Sequence, residues 1–212
     1  DADGDGMTDL LVTLVTGNRR QLGSFRTRLL HFPGPFRDAQ TGTLVAPKVR
    51  IDTESVALHP QFVDLDGDGD LDYVSDSIRG TKLDLIKRVL GQDPTIWHVG
   101  FAFDEQRGTF DTVPSFSLEL TYARDEAVSN RFGRTGFFDG DFDGDRFKDL
   151  LDIGDLAGLE VLRGRRREGP GVGDPVMFEA GIQRRVRVPK PLAADALIVD
   201  LRADGTDDAV LW

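Results

Sequence analysis

The chain has 212 residues, a formal net charge of −11 and no cysteine, which excludes disulfide stapling as a source of stability. Aspartate outnumbers glutamate 30 to 7, and the excess is concentrated in four short phrases. Removing the 15 aspartates that occupy their candidate ligand positions turns −11 into +4, so the acidity does not point to a basic partner such as a cationic peptide, and no nucleic acid is expected.

The chain opens on DADGDGMTDLLV, which places carboxylates at Asp1, Asp3, Asp5 and Asp9 and a backbone carbonyl at Met7. Alternate residues of a tight loop can all point inward, and Ca²⁺ takes roughly 6–8 oxygen ligands in such a cage. Without a cation, like charges so close together would repel one another. The apolar pattern that follows predicts strands over 10–16, 27–32 and 45–51.

The second phrase, DLDGDGDLDYVS, repeats the set with Asp64, Asp66, Asp68 and Asp72, the carbonyl coming from Asp70. A strand is expected over 61–64 before it and over 71–77 after it. Between 77 and 94 lies SIRGTKLDLIKRVLGQDP, in which Leu83, Ile86 and Leu90, with Leu85 and Val89 beside them, recur at helical spacing, and Gly91 and Pro94 supply a stop. This predicts a surface helix, either packed on the edge of a sheet or offered to a partner. Strands over 96–103 (IWHVGFAF) and 115–121 (SFSLELT) complete the unit.

The third phrase, DFDGDRFKDLLD, keeps Asp141, Asp143, Asp145 and Asp149 with Phe147 for the carbonyl, but Arg146 stands where glycine would make the sharp turn. Strands are expected over 150–153, 160–163 and 186–189. RGRRREGPGVGDP at 163–175 carries Arg163, Arg165, Arg166 and Arg167 on a hairpin tip or long loop, and Arg184, Arg185, Arg187 and Lys190 follow. They read as a solvated loop or as a basic patch for phosphate or acidic polysaccharide. The fourth phrase, DLRADGTDDAVLW, has Asp200, Asp204, Thr206 and Asp208, with Arg202 in place of the second aspartate. That cation opposes metal binding and marks the loop as a weak or vacant site.

An EF-hand needs a bidentate acid at position 12 and a helix after it. Position 12 is Val12, Ser75, Asp152 and Leu211, and strands follow. A nine-residue calcium β-roll period is absent, which leaves solvated acidic turns as the competing reading. The loops begin at 1, 64, 141 and 200. One supersecondary unit per period, made of short strands, predicts an all-β propeller of four-stranded antiparallel blades with each loop between a blade's first and second strands. The units fall approximately at 1–60, 61–136, 137–196 and, in part, 197–212.

These D-x-D-G-D-G-x-x-D loops resemble the FG-GAP or VCBS repeats of integrin-α-type β-propellers. EQRGTF at 105–110 is similar to the turn with Gly-x-Phe that those repeats carry between their third and fourth strands. The resemblance covers essentially the whole chain. It implies that calcium loops rigidify the blades while protein or polysaccharide partners bind on a propeller face.

Three to three and a half blades are fewer than the four to eight with which propellers close, so the chain is expected to be part of a larger propeller, completed by the parent chain or another copy. Weak calcium sites fill outside the cell, which predicts an extracellular, secreted or cell-surface location. No membrane-spanning run is evident. There is no Gly-x-Ser-x-Gly elbow, no P-loop and no His-Glu-x-x-His helix, and His31, His59 and His98 are isolated in sequence, so no catalytic residue is assigned. The expected role is a calcium-stabilised scaffold or adhesion module. The alternative is a carbohydrate-active propeller, lectin-like or a polysaccharide lyase, with aromatics such as Trp97, Tyr122 and Phe36 available for sugar stacking.

Overall fold

The computed structural model describes residues 6–18, 21–37, 40–47, 49–78, 95–104, 107–111, 113–121, 136–152, 160–166, 176–179 and 196–211. Their regular structure is all β, every pairing is antiparallel, and no helix occurs among the described residues. The first sheet joins β1 (Leu10–Asn18), β2 (Gln21–Phe32) and β3 (Val49–Thr53) in that order. The second contains β4 (Val56–Val63), β5 (Asp72–Ile78), β6 (Thr95–Phe101) and, after a small hairpin of β7 (Phe103–Asp104) and β8 (Thr109–Phe110), β9 (Phe116–Thr121). The third runs β10 (Gly136–Gly140), β11 (Asp149–Asp152), β12 (Glu160–Arg166) and β13 (Val176–Glu179). Last come β14 (Ala196–Val199) and β15 (Asp208–Leu211), paired with each other.

The acidic loops at 64–72, 141–149 and 200–208 each join the first two strands of their sheet, β4 to β5, β10 to β11 and β14 to β15. The Gly-x-Phe segment falls between the third and fourth strands of the second sheet, where Gly108 takes the left-handed backbone (φ 60°) that turns β7 into β8. Several strand limits differ from the sequence reading. The strand expected at 61–64 begins at Val56, because a bulge between Leu58 and Gln61 absorbs Pro60, which cannot donate to the ladder. The one expected at 45–51 starts at Val49 and ends at Thr53. The one expected at 96–103 breaks at Ala102, whose N–H turns to the Ser115 hydroxyl. In the third sheet the fourth strand is Val176–Glu179, paired with β12. The expected strand at 186–189, the expected helix around 83–90, and Arg167, Arg184, Arg185, Arg187 and Lys190 lie outside the described residues.

Side chains alternate across a strand, and here both faces find a neighbouring sheet. Tyr73 enters a core with Leu29 and Ile51 of the first sheet and Val99, Phe101, Phe103 and Phe110 of its own unit. Val74, one residue on, faces the opposite core with Val63, Leu65, Phe116, Phe138, Leu150 and Leu162. Phe137 and Leu151 turn to a third core that includes Ile198. Successive sheets thus stack face to face, which is why β5 and β11 are buried along nearly their whole length, the polar Ser75, Asp76, Ser77 and Asp152 included. Burying each large side chain contributes roughly 1.5–3 kcal/mol. Polar clasps fix the stacking. Gln61 of β4 donates to the Gly136 carbonyl (2.9 Å) and accepts from Phe138 N–H, and Thr27 Oγ1 links the Ser55 carbonyl to Ala57 N–H.

Candidate metal-binding loops

The second loop folds around its own first carboxylate. Asp64 Oδ1 accepts the Gly67 N–H (2.8 Å) and Oδ2 the Gly69 N–H (3.1 Å). In the third loop Asp141 does the same for Gly144 (2.7 Å) and Arg146 (2.9 Å). The turn needs a left-handed residue at its sixth position, where φ is 100° at Gly69 and 77° at Arg146. A side chain with a Cβ adopts that conformation at a cost of roughly 1–2 kcal/mol.

Position nine has a double role that the sequence did not reveal. Asp72 Oδ2 accepts the Leu65 N–H from within the loop, and Oδ1 accepts the Phe103 N–H from the far side of β6, both at 2.9 Å. Asp149 repeats this with Phe142 and Gly164, both at 2.8 Å. Asp9 accepts the N–H of Gly34 at 3.0 Å. The aspartate therefore ties each loop to its own sheet as well as offering oxygen to a cation. Gly34 and Gly164 are required by the same contact: a Cβ there would lie 2.8 Å from the Thr8 carbonyl oxygen and 2.0 Å from that of Lys148.

The carboxylate oxygens of Asp64, Asp66 and Asp72 lie within 4.8 Å of one another, and so do those of Asp141, Asp143 and Asp149. Asp68 and Asp145 stand outside these two groups and accept the N–H of Asp70 and Phe147. Burial pushes Asp72 up to about 7, against the two backbone N–H groups that favour its charge. Burial and the neighbouring charge of Asp68 push Asp66 up to about 6, and burial pushes Asp149 up to about 6. Converging carboxylates withdrawn from water favour a proton or a cation.

Charge is balanced differently from loop to loop. Arg163 of β12 makes ion pairs with Asp143 and, at 3.4 Å, with Asp145. In the fourth loop Arg202 donates to Asp208 (3.3 Å) and Thr206 (3.2 Å) and lies 3.5 Å from Asp204, while the Asp200 carboxylate takes the N–H groups of Asp204 and Gly205. Asp200, Asp204 and Asp208 form no converging group among the described residues. Of the first loop, Met7 and Asp9 are described, and Asp1, Asp3 and Asp5 lie outside the described residues. Adjacent loops touch: Lys148 N–H donates to the Leu65 carbonyl (3.0 Å) and Asp207 N–H to the Asp141 carbonyl (2.8 Å).

The histidines, isolated in sequence, come to rest on aspartates. His98 is fully buried, with Nδ1 2.7 Å from Asp76 Oδ1, and His59 Nδ1 lies 3.2 Å from Oδ2 of the same carboxylate. Burial alone would raise Asp76, but the two histidine hydrogen bonds outweigh it and hold the carboxyl below its usual range. His31 Nε2 lies 3.4 Å from Asp9 Oδ2. A cross-strand signal existed for one pair, since Asp76 and His98 are direct partners on β5 and β6.

Loops that join first to second strands, tied back by their ninth residue, recur in sheets that stack face to face. Residues 1–75 match the family model of the FG-GAP-like repeat. The resemblance read from the acidic phrases is borne out over that span, and the hydrogen bonds of the 64–72 loop, which closes the FG-GAP-like segment, reappear at 141–149. No curated protein and no solved structure matches the chain. Among the described residues no helix is long and apolar enough to cross a membrane.

The donor set fits the calcium that this repeat implies. It is entirely oxygen, it converges, and at the third loop a guanidinium already stands on two carboxylates as a cation would.

Proposed function

We propose that the chain is a calcium-stabilised segment of an extracellular β-propeller that serves as a scaffold or ligand-binding module. The observation that carries this reading is the convergence of the first, third and ninth carboxylates in two loops of the same build. The ion would be held by Asp64, Asp66, Asp68, Asp72 and the Asp70 carbonyl in one loop, and by Asp141, Asp143, Asp145, Asp149 and the Phe147 carbonyl in the other. Asp1, Asp3, Asp5, Asp9 and Met7 would form a third site, and the Asp200, Asp204, Thr206 and Asp208 loop a weak or vacant fourth. When bound, calcium neutralises the clustered charge. The chain's own residues do the rest: Asp72 and Asp149 anchor the loops to β7 and β12, so that a filled loop stiffens its sheet and the neighbouring loop it touches.

The blade units are approximately 1–60, 61–136, 137–196 and part of another at 197–212, the rest of the ring coming from the parent chain or a second copy. Support comes from three cores that link four successive sheets. A rigid ring with loops on its faces suits recognition of a protein or polysaccharide. Crystals grown with calcium should show density at the second and third loops with oxygen distances of about 2.3–2.6 Å. Loops filled only by water would sink the reading. A glycan array and a protein-capture screen on the parent protein would then tell a binder from a pure scaffold.

A further inference from the structure

Hydrogen bonding aligns the repeats more closely than sequence does. The N–H that holds the ninth aspartate's Oδ1 belongs to Gly34 for Asp9, to Phe103 for Asp72 and to Gly164 for Asp149. The residue immediately before it is Pro33, Ala102 and Arg163 respectively. Among the three equivalent positions, a cation stands only beside the third loop. Its guanidinium reaches Asp143, one of the three converging carboxylates, and Asp145.

We propose that Arg163 is a built-in counter-ion that competes with calcium for the third loop and holds that site's affinity below that of the second. The proposal rests on the calcium reading above. Oxygen lone pairs engaged by a guanidinium are not free to coordinate, and a positive charge beside the site opposes a second one. Arg163 can also be displaced. Its guanidinium meets Asp143 as an ion pair, and its Nη2 gives Asp145 one long hydrogen bond (3.4 Å), so no short directional network locks it in place. With 29% of its side chain exposed, Arg163 is not sealed into the core. Arg202 differs in kind: it lies within its own loop, with 62% of its side chain exposed, and takes a ligand position outright. Arg163 occupies no ligand position, so removing it leaves every oxygen donor of the third loop in place.

Calorimetric calcium titrations of the full chain test this with wild type, Asp66→Ala, Arg163→Gln and Arg163→Lys. Asp66→Ala identifies the second-loop site by its loss. Arg163→Gln should tighten a different site roughly tenfold, the effect of removing two partly screened ion pairs. Arg163→Lys, which keeps the charge, should leave that site within about threefold of wild type. If Asp66→Ala loses a site while Arg163→Gln changes nothing, Arg163 is no competitor and the calcium reading survives. If no variant binds calcium, the calcium reading falls and takes the proposal with it. A second readout does not depend on the Gln variant folding. The Arg163 Nε–H resonance of wild type, assigned by its absence in Arg163→Lys, should move as the weaker site fills. A resonance that stays put at saturating calcium overturns the proposal.

Discussion

The loops at 64–72 and 141–149 share a scaffold but not a charge environment. In both, the first aspartate gathers the turn, the ninth is pinned by one N–H from the loop and one from the sheet, and three carboxylates converge. The second loop turns on glycine and has alanine at the position from which Arg163 reaches the third. The third turns on Arg146 and has its carboxylates met by Arg163. Backbone N–H groups bonded to the first and ninth aspartates therefore set where a loop stands, and the arginines around it set how strongly it attracts a cation. The two properties are separable by mutation.

The largest expected effect strikes both loops together. Phe138 sits fully buried in the core between the second and third sheets, and Phe138→Ala should cost about 3–5 kcal/mol in denaturant unfolding with or without calcium. A loss seen only with calcium would mean that this core does not hold the two sheets together.

Next comes the separation of anchor from ligand. Asp72→Asn or Asp149→Asn leaves a buried N–H facing an amide N–H₂, and should cost about 1–3 kcal/mol even in excess chelator. Asp66→Ala, whose carboxylate makes one long contact with Asp68 N–H (3.3 Å), should cost stability only when calcium is present. If all three variants behave alike in chelator, the double role of position nine is wrong.

How much of this was legible beforehand follows from range. The loops, their place between first and second strands and the Arg146 turn depend on adjacent residues, and the acidic phrases announced them. The hydrogen bonds of Asp72 to Phe103 and of Asp149 to Gly164 cross 31 and 15 residues, and only the register of the sheet brings those ends together. Arg163 was legible as part of a basic run, but not as a neighbour of Asp143. His98 is isolated in sequence, and its partner Asp76 lies 22 residues away across the β5–β6 pair, where only the sheet register brings them together.

A pH series sharpens the comparison further. Asp72 at about 7, and Asp66 and Asp149 at about 6, stand above the ordinary 3.8. A group raised by folding contributes stability that is fully present below its unfolded value and is lost as pH rises through its folded one. In chelator the melting temperature should therefore fall between about pH 4 and 7 on this account, with Asp149→Asn flattening the fall below about pH 6 and Asp72→Asn flattening it throughout. Calcium should flatten all of it, because the ion takes the place of the protons. A level profile in chelator would show that these carboxylates are not withdrawn from water.

The smallest effect is at the turn. Arg146→Gly removes the left-handed strain and should gain about 1 kcal/mol or less, part of the relief being offset by the freer unfolded chain. A loss on unfolding measurements would mean that the Arg146 side chain contributes more than its backbone costs.

The most direct test of the central claim is the thermal melt of the full chain in excess calcium against excess chelator at neutral pH. Ligands that bind only the folded loops stabilise by mass action, about 2.7 kcal/mol per site at a hundredfold excess over Kd. The account predicts a melting temperature several degrees higher in calcium, with most of the difference abolished by combining Asp66→Ala with Asp143→Ala. Superimposable curves in calcium and chelator would contradict it, and the acidic loops would then be turns held by their own hydrogen bonds alone.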